Sequence, residues 1–485
     1  MTSRRNFLKT GGMAVAGLSI LGKKSIRSAS SFSLIQDNTD FISKRPAPDK
    51  RKFVSEAVEE EIKKVRKGIG NEELGWIFEN CYPNTLDTTV QFRILDGRPD
   101  TFVITGDIDA MWLRDSSAQV WPYLPLTKDD RELRQLIEGV INRQTKCILL
   151  DPYANAFNYG PTGSPWDKDL TEMKPGIHER KWEVDSLCYP IRLAYGYWRT
   201  TGDTAPFDGN WREAMKLVVT TFKQQQRKHG HGPYKFQRIT ATQTDTQAGG
   251  GYGNPIKPVG LICSMFRPSD DATIFPFLVP SNYFAVLSLK RLAEMFENIA
   301  GDHAFAAECL DLANEVESAL KAYARVKHLD YGEMLAYEVD GFGDRLFMDD
   351  ANIPGLLSIP YLGTLAESDP LYQNTRSFVL SGDNPYFFKG TAGEGVGSPH
   401  TGLGKIWPIG IMVRAFTTTR EDEIKACVKT LVASSAGTGF MHESFDENDP
   451  ATFTRSWFAW ANTLFGELII RLYNERPALL KEEYL

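Results

Sequence analysis

The sequence lacks any surplus of positive charge. Its 55 Lys and Arg stand against 62 Asp and Glu, a formal net charge of -7. Nucleic-acid binding rests on a basic face that neutralises phosphates, so no nucleic-acid partner is expected. Metal-ligating residues are sparse too, with 7 His and 6 Cys in 485 residues. Cys81, Cys147, Cys188, Cys263, Cys309 and Cys427 are scattered and form no CxxC pair, so they are expected as small buried apolar side chains. His229 and His231 are close together but lack neighbouring carboxylate or Cys partners. No metal and no cofactor is expected. The glycines at 249–253 lack the GK[ST] of a phosphate loop, and neither a GxSxG elbow nor an HExxH helix occurs. Strands do not alternate with crossover helices, which argues against a parallel sheet.

Apolar residues make up 42% of the chain, ordinary for a soluble globular protein, and no segment beyond the N-terminus is apolar for long enough to form a membrane helix. The N-terminus itself reads S-R-R-N-F-L-K at 3–9, then a short run rich in Gly, Ala, Leu and Val at 10–22, then small residues at 28–30. That is the layout of an export signal, and Arg4-Arg5 resembles a twin-arginine leader. Residues 1–30 are expected to be this signal, 31–48 a linker and 49–485 a single catalytic domain. The protein is expected to be exported, to the periplasm or outside the cell.

Beyond the linker, helical patterns come in pairs. Residues 50–67 and 130–149 are amphipathic. Residues 186–200 are apolar on nearly every face, and 210–228 have one wet face. Residues 282–297 and 303–325 form the next pair, 403–416 and 421–434 another, and 458–474 close the series. Asp96-Gly97 between 90–94 and 101–104 predicts a hairpin, and a Gly-rich turn predicts a second between 334–339 and 345–348. Alternating buried and amphipathic helices suit an all-α barrel of helical pairs, a toroid with a few short β-hairpins and its pocket at one end. An open superhelix would need a repeat at the residue level, which is missing.

Five loops hold polar residues that a helix end does not need. The first, GDIDAMWLRDSS at 106–117, supplies Asp109, Trp112, Arg114 and Asp115. The second, HERKWEVDS at 178–186, supplies Glu183 and Asp185 beside Trp182. Asp115 or Ser116, and Asp185 or Ser186, would serve as helix caps, but a cap needs one such residue. Carboxylates, Arg and Trp together suit a sugar, with charged groups for the hydroxyls and an aromatic face for the ring. The third loop, SMFRPSDDA at 264–272, sets Asp270 and Asp271 beside Arg267. One Asp can pair with Arg267 while the other keeps a proton as a general acid. The fourth, GSPHTGLGKIWP at 397–408, offers His400 and Trp407. The fifth, GTGFMHESFD at 437–446, offers Glu443 as a general base, with Arg455 following in TRSWFAWAN.

Taken in order, W-L-R-D-S, W-E-V-D-S, F-R-P-S-D-D, G-S-P-H, H-E-S and R-S-W-F-A-W-A-N resemble glycoside hydrolase family 125 from about residue 53 to the C-terminus. The first segment also resembles, more distantly, a sugar-contacting loop of glucoamylase-type enzymes. The resemblance implies an (α/α)6 barrel and an exo-acting, inverting, metal-independent α-1,6-mannosidase that acts on an oligosaccharide or glycan. It implies an Asp acid, carried over as Asp270 or Asp271 with Asp270 favoured by register, and Glu443 as the base. Arg114 and Asp115 would hold the terminal mannose. The residues alone do not separate mannose from another α-linked sugar such as glucose. A non-catalytic glycan-binding protein would need aromatics but no matched acid and base.

Overall fold

A computed structural model describes residues 41–482. The export leader and most of the expected linker lie outside the described residues. Residues 41–48 are tied down. Arg45 pairs with Glu59 and with Asp87 (Nε–Oδ2 2.8 Å), and the Lys44 amide donates to Asn80.

The helices run in chain order as α1 (Glu56–Gly68), α2 (Glu72–Cys81), α3 (Asn84–Thr88), α4 (Leu113–Val120), α5 (Arg131–Leu150), α6 (Val184–Thr201) and α7 (Gly209–Gln225). They continue as α8 (Val279–Met295), α9 (His303–Tyr323), α10 (Ile359–Leu362), α11 (Pro370–Val379), α12 (Pro408–Phe416), α13 (Glu421–Ser434) and α14 (Ala459–Glu475). The inner helices follow one another: α4 packs on α6, α6 on α8, α8 on α10, α12 on α14, and α14 back on α4. Outside them, α5 packs on α6, α9 on α8, α13 on α12 and α2 on α14. This is the expected (α/α)6 barrel.

The burial follows the helical pattern. In α6 the residues from Val184 to Ala194 are all buried, whereas α1 buries only Val58, Ile62 and Val65 on one stripe. Caps set several outer helices. Asp130, Asp208 and Asp302 each accept a hydrogen bond from a backbone amide in the first turn of α5, α7 and α9. All six cysteines are buried and unpaired, as their spacing suggested. Among the described residues no helix is long and apolar enough to cross a membrane.

The first hairpin forms as expected. Val90–Leu95 pairs with Arg98–Val103, and Asp96 (φ 52°) and Gly97 (φ 78°) adopt the left-handed conformations of a type I′ turn. The second divides differently. Gly332–Leu335 pairs backwards with Arg325–His328, and only Glu338–Val339 pairs with Arg345–Leu346. The expected helix over 403–416 begins at Pro408, because Lys405–Ile406 is drawn into a sheet with Ser444–Asp446.

Close packing between α14 and the end of α2 depends on Gly466. A Cβ there would stand 2.8 Å from the Tyr82 Cα and 2.6 Å from its ring. Gly466→Ala, which favours an isolated helix by up to about 1 kcal/mol, is therefore expected to lower stability by about 1–3 kcal/mol through overpacking. Chemical denaturation monitored by circular dichroism checks this; a gain in stability contradicts the packing account.

Candidate active site

One pocket of about 600 Å³ gathers residues from all five loops. Its floor is buried: Trp112, Arg114, Asp115, Trp407, Glu443 and Trp460 line it. Pro165, Trp166, Thr242 and Thr244 stand at a more open rim.

Inner helices start at this end without side-chain caps. Trp112 precedes α4, Glu183 precedes α6, Trp407 precedes α12 and Phe458 precedes α14, and none of them caps its helix. Asp115 and Asp185 lie in first turns rather than at cap positions, so the capping alternative fails for both. Small sheets set the loops. Lys405–Ile406, Ser444–Asp446 and Phe453–Thr454 pair side by side, which brings Trp407, Glu443 and Arg455 to one edge. Met111–Trp112, Ala156–Phe157 and Ile177–Glu179 do the same for Trp112, Asn155 and Glu179.

Arg114 is the centre of the site. Its Nη1 stands 2.6 Å from Glu183 and 3.2 Å from Asp185, its Nη2 3.4 Å from Asp270, and its Nε 3.6 Å from Asp115. One guanidinium cannot neutralise four carboxylates. Burial pushes Glu183 well up, and the charges of Asp270 and Asp185 add to this against the pull of Arg114. Burial likewise raises Asp115, and lifts Asp185 from 3.8 to about 6, both against the pull of Arg114. Asp270 goes the other way. Burial raises it, but Arg114, Lys181 and a hydrogen bond from Glu183 outweigh that, so its carboxyl lies below the usual range. Burial thus favours a proton on Glu183, and the flanking cations favour charge on Asp270. Asn155 Nδ2 bridges them, 3.2 Å from Asp270 Oδ1 and 3.4 Å from Glu183 Oε1.

Asp270 occupies a tight turn with φ 66°, a conformation that a non-Gly residue adopts only when its surroundings enforce it. Its amide donates to Arg267 O, and the Arg267 amide to Asp271 O. Arg267 does not pair with either Asp, contrary to expectation. It is buried against Glu338 (Nε–Oε1 2.6 Å), whose other oxygen takes the amides of Ile274 and Phe275. Its task is to anchor the turn. Asp271 faces His400 (Oδ1–Nδ1 3.4 Å). Burial lowers His400, but Asp271, Glu443 and Asp270 outweigh it and bring it to about 9. Glu443 accepts from Thr454 Oγ1 at 2.9 Å and lies 3.5 Å from Arg455 Nη1; Arg455 (φ 42°) is itself held by Asp107.

Of the residues singled out in the sequence, Trp112, Arg114, Asp115, Asp270, Asp271, His400, Trp407, Glu443 and Arg455 line the pocket. Asp109 is exposed and does not line it; Glu183, Asp185 and Arg267 stand behind the wall. Trp166, Glu179, Lys181, Arg238, Asp245 and Trp460, not singled out in the sequence, line it as well. Glu179 and Lys181, inside the HERKWEVDS loop, and Trp460, inside the W-F-A-W-A-N segment, carried a usable signal; Trp166, Arg238 and Asp245 carried none. Among the described residues no group of three His, Cys, Asp or Glu is arranged to hold a metal ion.

A pocket floored by aromatic rings, ringed by carboxylates and set at one end of an (α/α)6 barrel defines a glycoside hydrolase. The family profile described as "metal-independent alpha-mannosidase (GH125)" matches residues 71–470, and the chain belongs to that family. It is 41% identical over 458 residues to the meiotically up-regulated gene 157 protein of Schizosaccharomyces pombe, with 90% of each chain covered. It is 42% identical to a metal-independent α-mannosidase of Streptococcus pneumoniae solved in a non-productive complex with α-1,6-mannobiose. That match has a TM-score of 0.84 and covers 88% of this chain and 100% of that one. A bacterial glucoamylase complexed with acarbose shares the fold at 13% identity, with a TM-score of 0.51 over 89% of this chain and 59% of its own.

Arg114→Met would leave buried carboxylates without a cation and is expected to cost about 3–5 kcal/mol near neutral pH. Asp185, raised from 3.8 to about 6, favours the folded state fully below pH 3.8 and loses that contribution as pH rises through 6. Removing Arg114 raises the carboxylates further, so the deficit should shrink on acidification. Denaturant titrations of both proteins from neutral to mildly acid pH measure it; a deficit that grows on acidification contradicts the account.

Proposed function

We propose that the protein is an exo-acting, inverting α-1,6-mannosidase with Asp270 as general acid and Glu443 as general base. The observation that carries this reading is that two carboxyl groups, fixed by unrelated loops, line one pocket together with the buried Trp112, Trp407 and Trp460. In this reading the buried end takes the terminal sugar. The α-1,6-mannobiose bound to the streptococcal relative supports the linkage.

Asp270 is chosen over Asp271 because its side chain is 24% exposed, against 5% for Asp271, which is turned to His400. In the empty pocket the proton waits on Glu183. As the sugar binds and charge builds on the leaving oxygen, Asp270 takes the proton from Glu183 and passes it to the glycosidic oxygen, which leaves both carboxylates ionised. Glu443, oriented by Thr454 and Arg455, takes a proton from a water that attacks the anomeric carbon from the other face. Glu443 then releases its proton to solvent, and solvent returns one to Glu183. In an inverting enzyme such carboxyl groups stand about 6.5–9.5 Å apart, leaving room for the water. Arg114 and Asp115 meet the hydroxyls of the terminal mannose, and Trp407 and Trp460 its ring. In the same reading the enzyme acts after export, on the strength of the Arg4-Arg5 leader.

Glu443→Gln should cut kcat on α-1,6-mannobiose by about 10²–10⁴-fold with the fold intact. EDTA should leave the wild-type rate unchanged. Proton NMR should detect β-mannose first. Wild-type turnover in the variant, loss of activity to EDTA, or α-mannose as first product each contradicts one part of the proposal. Asp270→Asn should retain far more activity on a dinitrophenyl α-mannoside, whose leaving group needs no proton, than on mannobiose. If Asp271→Asn shows that pattern and Asp270→Asn does not, the acid is Asp271.

A further inference from the structure

The proposed chemistry uses the floor of the pocket and leaves its rim unexplained. There Trp166, half-buried, lies under the guanidinium of Arg238, whose Cζ is 3.7 Å from the centre of the indole ring. Arg238 is almost fully buried and fixed on several sides. Asp169 takes Nε and Nη2 at 2.9 and 2.6 Å, Glu179 takes Nη2 at 2.9 Å, and Asp245 takes Nη1 at 2.9 Å. A guanidinium held so firmly against one face of a tryptophan fixes the ring in place. A pocket-lining indole held at a set angle is a preorganised apolar surface.

The charges around it decide what it can receive. Arg238 and Lys181 face Asp169, Glu179 and Asp245, so no positive charge is left over for a phosphate. A hexopyranose ring fits instead, with one face of C–H groups for the indole and hydroxyls for Asp245, Thr242 and Thr244. The rim is also connected to the acid. Glu179 Oε2 accepts from Asn155, which donates to Asp270 Oδ1, and Lys181 Nζ donates to Asp270 O at 2.9 Å.

We infer that Trp166, seated on Arg238, is the stacking platform for the sugar on the leaving side of the scissile bond. The inference rests on the α-mannosidase reading and adds to it the requirement for a pyranose aglycone. Removing the indole leaves every carboxylate partner of Arg238 in place, so the rim keeps its charge pairing.

The test compares α-1,6-mannobiose, which has an aglycone sugar, with α-mannosyl fluoride, which has none. For Trp166→Ala, the ratio of kcat/KM on mannobiose to kcat/KM on the fluoride should fall about tenfold relative to wild type, mostly through KM. Trp166→Leu, which keeps apolar bulk but loses the aromatic face, should show the same fall, and Trp166→Phe should recover most of it. A ratio equal to that of wild type in both the Ala and Leu variants overturns the inference, whatever their absolute rates. A wild-type enzyme inactive on both substrates overturns instead the function on which it rests.

Discussion

The site depends on one shortage of charge: a single buried guanidinium, Arg114, faces Glu183, Asp185, Asp115 and Asp270. Four carboxylates in a low-dielectric wall cannot all ionise against one cation. Which of them yields is set by the next neighbours. Arg114 and Lys181 favour charge on Asp270, while burial and the charges of Asp270 and Asp185 raise Glu183 against the pull of Arg114. An acid that must give up a proton is thus placed beside a store of one.

The barrel supplies the setting for this cluster. Inner helices enter at the pocket end without caps, so the first-turn amides of α4 and α6 leave room for Asp115 and Asp185 at the positive ends of their dipoles. Two three-stranded sheets then hold the loops in register, and the buried Arg267–Glu338 pair anchors the turn that bends Asp270 into the pocket. Asp270 and Arg455, both lining the cavity, hold strained left-handed backbones.

Much of this was legible in the sequence where a single periodicity or a compact motif carried it. The outer helix over 421–434 and the Asp96-Gly97 turn match the structure closely, because a polar stripe and a type I′ turn are local properties. The first turn of α4 read as loop, with a helix starting only at Asp115 or Ser116, because its polar residues serve the pocket and spoil its apolar pattern. Helix α2 was missed for the opposite reason: most of its residues are buried, so it lacks a stripe. The rim was invisible. Trp166 and Arg238 lie far apart in irregular loops, and only the fold shows that one stacks on the other. Arg267 was misplaced because a partner distant in sequence, Glu338, takes it from the adjacent Asp pair.

The claim on which the rest depends is that a buried carboxyl group beside Arg114 stays protonated when the enzyme is ready to act. Infrared difference spectroscopy of the wild type against Glu183→Gln near neutral pH tests it most directly. The account predicts a carboxylic-acid carbonyl band in the wild type that is missing from the variant. A wild-type spectrum without such a band, or a band that persists unchanged in Glu183→Gln, would contradict it.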